Sequence, residues 1–78
     1  MLRFKFQIDA GFLIRKQVKI ELERSKSKLE YYYKDSLVSI REEKNFFSTM
    51  FFVQGTNFPD DEDCNIQLKN WVEKLKSL

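Results

Sequence analysis

The sequence predicts an α+β domain: an antiparallel meander of four to five strands with one C-terminal amphipathic helix packed on one face. Three observations carry this expectation. The chain opens on a faultless alternation, Leu2, Phe4, Phe6 and Ile8 against Arg3, Lys5 and Gln7, which marks a half-buried strand. It closes on Cys64, Leu68, Trp71, Leu75 and Leu78, at spacings of four, three, four and three, which is a helical stripe. Between them lie short runs rich in β-branched and aromatic residues, separated by polar breaks.

Taken in order, the expected elements are strands at about 2–8, 12–23, 28–34, 37–41 and 46–54 and a helix at about 60–77, all in one domain spanning 1–78. After the first strand, Asp9-Ala10-Gly11 supplies turn chemistry, with Gly11 free to take a positive φ. Over 12–23, Phe12, Ile14, Val18, Ile20 and Leu22 share a strand face that only Lys16 interrupts. A helix would align Ile14, Val18, Leu22 and Leu29 but leave Phe12 and Ile20 off the stripe. The β-branched residues favour the strand, although Lys, Glu, Gln and Leu are good helix formers. Ser25-Lys26-Ser27 reads as a hairpin loop, after which Leu29 to Tyr33 resumes in extended form, and Lys34-Asp35-Ser36 turns the chain toward Leu37–Ile40.

The segment Phe46–Val53 is apolar on both faces: Phe46, Met50 and Phe52 on one, Phe47, Phe51 and Val53 on the other. Such a strand is central and covered twice, or presents one face to another chain. Gly55 to Pro59 ends it. Asp60, Asp61, Glu62 and Asp63 then place negative charge at the positive end of the helix dipole, and Lys74 and Lys76 complement the other end. Leu68, Trp71 and Leu75 are the expected core anchors of that helix.

Size limits what the domain can do alone. Chains this short hide only about 60% of the surface that they expose when unfolded, so the core must be rich or borrow area from a partner. Eight Phe, three Tyr and one Trp among 78 residues meet that need, since each aromatic buries ~150–250 Å². With one cysteine, Cys64, there is no internal disulfide, which fits a reducing compartment. No apolar run approaches the ~20 residues of a membrane span, and the charged start is unlike a signal peptide. The expected address is the cytoplasm, with no role at a membrane.

The same inventory argues against catalysis. Without a histidine, the commonest acid–base group and metal ligand is missing, and neither a Ser–His nor a Cys–His pair can form. One Cys and no His cannot build a usual zinc site, and two distant glycines exclude a Gly-rich phosphate loop. The acidic run at 60–63 lacks the spacing and glycine of a calcium loop. Beside that run a Cys64 thiolate is disfavoured. No enzyme, cofactor or metal is expected.

What remains is binding. The leading expectation is protein–protein contact through the sheet face, with Phe47, Phe51 and Val53 as the interface and a protein partner or a second copy as occupant. The alternative is single-stranded nucleic acid. Arg24, Lys26, Lys28 and Lys34 would meet phosphates while Tyr31 and Tyr33 stack on bases, the combination that single-strand binders use. Charge distribution fits a steered encounter: residues 1–34 carry a balance of +5 and residues 35–78 one of −3.

Two resemblances bear on these expectations. The octet Leu68-Lys69-Asn70-Trp71-Val72-Glu73-Lys74-Leu75 resembles the closing helix of pleckstrin-homology domains, which implies lipid-headgroup or peptide binding. It covers only that helix, and the chain is short of the strands that the fold requires. The order of elements is similar to that of small single-stranded-DNA-binding coactivator domains, with a basic sheet and a dimerising helix, in layout and not in motif. Neither assigns the chain to a family.

Overall fold

A computed structural model of the chain describes residues 1–78. The order of elements is β1 (Leu2–Gly11), α1 (Arg15–Tyr32), β2 (Leu37–Lys44), β3 (Ser48–Phe58) and α2 (Glu62–Lys76). The class is α+β with an antiparallel sheet, but the sheet has three strands and the helices are two. The expected meander of four to five strands with one helix is therefore wrong, and the main fault lies between β1 and β2; the turn expected at 9–11 is also strand, and β3 runs on through Gly55 to Phe58. Residues 12–23 and 28–34, expected as two strands, are a turn and the long helix α1.

The reason is physical. Between Gly11 and Gly55 no Gly or Pro interrupts the chain, and most of residues 15–32 are strong helix formers. Val18 and Leu22 are buried, Ser25 and Leu29 half-buried, at spacings of four, three and four. That stripe covers sheet that would otherwise face water, and packing of this kind overrides the weak strand preference of Ile14, Val18 and Ile20. Phe12 and Ile20, which do not fit the stripe, are exposed. Ser25 Oγ turns back to Glu21 Oε1 at 3.4 Å, and Lys26 pairs with Glu30 one turn on, so the supposed loop is helical surface.

The sheet order is β1-β3-β2, with both edge strands antiparallel to β3. β2 and β3 form a hairpin, while β1 reaches β3 across α1, a split β-α-β unit. The two-faced composition from Ser48 to Gln54 belongs to the central strand, although its outer face is uncovered. Both helices pack on the inner face, where Ile8, Ala10, Val38, Phe51, Val53 and Phe58 meet Val18, Leu22, Cys64, Leu68, Trp71 and Leu75.

Three local devices fix this arrangement. Asp61 caps α2 by accepting the Cys64 N–H at 2.8 Å, which satisfies an otherwise orphan donor. Glu30 reaches from α1 to accept the Val38 N–H of edge strand β2 at 2.8 Å. Gly55 sits under the ring of Phe4, and a Cβ there would overlap that ring. Gly11 does not take a positive φ; Asn57 does, at 62°, where the pairing of β1 with β3 slips between Leu2 and Phe4. Asparagine tolerates that left-handed conformation better than most residues.

Candidate functional site

Two surfaces stand out. The first is an apolar pole. Gly11 pairs with Ser48, so the turn after β1 and the hairpin loop before β3 leave the same end of the sheet. On these loops Phe12 is 68% exposed, Leu13 89%, Phe46 91% and Phe47 80%. The first turn closes by Ile14 N–H donating to Gly11 O, and the second by Asn45 N–H donating to Ser48 O. Phe46 and Phe47 thus occupy the two tip positions, where Gly, Asn and Asp normally serve. Neither has a positive φ. Phe46 packs edge-on to Phe47 at 4.8 Å, and the Arg15 guanidinium lies 5.0 Å from the Phe12 ring centroid. Turn chemistry does not call for phenyl rings there, and the core does not use them.

The second surface is the outer face of the sheet. Strand pairing arranges it in rows: Lys5, Gln54 and Ser39, then Gln7, Phe52 and Arg41, then Asp9, Met50 and Glu43. Arg3 extends the basic side along β1. The Arg41 guanidinium stands 4.6 Å from the centre of the Phe52 ring. Lys5, Gln7, Ser39, Arg41, Phe52 and Gln54 line a shallow depression.

The residues singled out in the sequence are dispersed between these surfaces and the interior. Phe47 is on the pole, but Phe51 and Val53 are buried on the inner face and cannot meet a partner. The face assignment fails because Phe47 belongs to the loop, and β3 begins only at Ser48. Leu68, Trp71 and Leu75 are buried against the sheet, with Trp71 edge-on to Phe4 and Phe6. Arg24, Lys26, Lys28 and Tyr31 lie on α1, and Tyr33 and Lys34 just beyond it, so the extended segment expected at 28–34 does not exist; Tyr31 is exposed while Tyr33 is half-buried. Arg24 and Lys26 face Glu21 and Glu30, which neutralises part of the patch. Phe12, Leu13, Phe46 and the outer row around Phe52 are not among the site residues that the sequence predicts. For the hairpin tip a signal existed: Phe46-Phe47 is bracketed by Asn45 and Ser48, both turn formers.

A groove between α1 and α2, about 540 Å³, is lined by Lys28, Tyr31, Tyr32, Gln67, Asn70 and Lys74 among others. Lys74 is held by Glu21 at 2.9 Å, and that hydrogen bond keeps the Glu21 carboxyl below its usual range. Beneath it, burial pushes the Tyr33 phenol up to about 12 and raises the Cys64 thiol. A buried, protonated thiol is a poor nucleophile. No three His, Cys, Asp or Glu side chains converge as metal ligands, and no helix is long and apolar enough to cross a membrane.

Fold and surfaces together define the class: a small α+β protein with an open three-stranded sheet and an apolar pole. No family model matches the chain, and neither a curated protein nor a solved structure is significantly similar to it.

Proposed function

We propose that this chain is a non-catalytic binding module that docks a protein partner on the apolar pole. The observation that carries the proposal is the exposure of Phe12, Leu13, Phe46 and Phe47 on two adjacent loops. Aromatic anchors of this kind dominate binding energy when they enter a partner's pocket. Their surroundings carry both signs, with Arg15, Lys16 and Lys44 beside Asp9 and Glu43. A mixed rim suits a protein interface, whereas carboxylates so near the tip oppose an anionic bilayer.

Magnitude shows that the pole does not act alone. Four large side chains offer roughly 500 Å² per chain, short of the ~800 Å² per partner of a standard interface. The pole alone is too small for either occupant, so the rim must contribute. A partner with a concave apolar pocket that also engages the rim meets that need.

The test is a photo-crosslinking residue in place of Phe47, introduced in the cells from which the protein comes. Titration of the purified captured protein follows. Phe46→Ser with Phe47→Ser is expected to weaken that binding at least tenfold without changing the thermal midpoint. Equal affinity of the double variant, or capture of lipid in place of protein, overturns the proposal. Light scattering should give a monomer; a stable dimer lost on the double substitution would assign the pole to self-association instead.

A further inference from the structure

We infer that the outer face of the sheet is a second, separate site, a platform for single-stranded nucleic acid. Three cations, Arg3, Lys5 and Arg41, stand exposed on the edge strands. None of them is in an ion pair, and strand pairing gathers them on one face. The edge strands lie roughly 10 Å apart on either side of β3. They therefore flank a corridor whose floor is Phe52, with Arg41 stacked over it at 4.6 Å.

That composition is specific in its chemistry. Phosphates pair with the flanking cations, and unpaired bases stack on an aromatic ring or on a guanidinium plane. Gln7, Gln54 and Ser39 sit in the same rows and offer donors and acceptors to base edges. A protein interface would instead concentrate apolar area and exclude charge from its centre; here cations and amides surround the half-buried ring at the centre, and the other apolar side chains of the face, Leu37 and Met50, lie toward its two ends. The row Asp9–Met50–Glu43 bounds the platform, because its two carboxylates repel phosphate. It also separates this face from the apolar pole, so that the two sites are independent. A duplex hides its bases and gains nothing from the floor.

The test is fluorescence anisotropy of the intact protein with labelled oligouridylate, oligothymidylate and a duplex of matched length. Tighter binding of either single strand supports the inference, and the stronger of the two names the natural ligand class. Three phosphate contacts should give a slope of log K against log salt of roughly −2. Lys5→Gln and Arg41→Gln should each lessen that slope. Phe52→Ala should weaken binding roughly tenfold or more. Lys28→Gln with Lys34→Gln, away from the sheet, should leave affinity unchanged. No binding at low salt, equal binding of the duplex, or loss on the Lys28/Lys34 substitutions in place of the sheet ones overturns it. Phe46→Ser with Phe47→Ser should not affect this assay, which keeps failure here distinct from failure of the protein-docking proposal.

Discussion

Trp71 and Gly55 hold the same part of the molecule by opposite means. Trp71 fills space: its indole meets Phe4 at 6.2 Å and Phe6 at 5.3 Å, both edge-on. Truncation to Ala should cost ~3–5 kcal/mol, most of the stability available to a domain of this size. Urea denaturation measures it, and a loss under ~1 kcal/mol would show that Trp71 is not a core anchor. Gly55 leaves space: its missing Cβ is where Phe4 lies. Gly55→Ala should destabilise by ~1–3 kcal/mol, the usual cost of overpacking, and pairing it with Phe4→Leu should recover part of the loss. The Trp71 role was legible because a helical stripe names its own buried face. That of Gly55 was not, because a glycine in a strand does not announce which ring will cover it.

At the scale of elements, α2 and α1 differ in how far their sequences announce them. Asp61 caps α2, Glu62 and Asp63 occupy its first turn, and Lys74 and Lys76 its last, so every local signal agrees. α1 has no side-chain cap and no acid in its first turn, and Arg15 and Lys16 stand there against the dipole. Its stability comes from tertiary contacts, which a single sequence does not display. Two of those contacts are made by carboxylates: Glu30, which also pairs with Lys26 on its own helix, accepts the Val38 N–H, and Glu21 holds Lys74. Hydrogen bonds from these partners hold both carboxyls below the ordinary value of 4.5. A carboxyl depressed on folding contributes stability above its unfolded value and loses it as pH falls through the folded one. The thermal midpoint should therefore drop as pH is lowered below 4.5, and Glu21→Gln with Glu30→Gln should flatten that decline. An unchanged acid limb in the double variant would mean that other groups govern it.

For the whole molecule, charge asymmetry along the chain turned out to be a poor guide. The basic first half and the acidic second half interleave, since β1 pairs with β3, Lys19 with Glu42 and Lys74 with Glu21. The surfaces that matter arise from strand order instead, which places residues from β1, β3 and β2 in common rows. That order also has a kinetic consequence. β2 and β3 are neighbours in sequence and can zip from their own turn. β1 meets β3 only by closing a loop that contains α1 and β2, and distant pairings of this kind form slowly. Pulse-labelled hydrogen exchange during refolding should protect amides shared by β2 and β3 before those shared by β1 and β3; simultaneous protection would mean one concerted step. Until that late arrival, the flank of β3 is a vacant berth. In a concentrated refolding mixture it is the first strand of a neighbouring molecule that can moor there, an exchange of identical segments between chains.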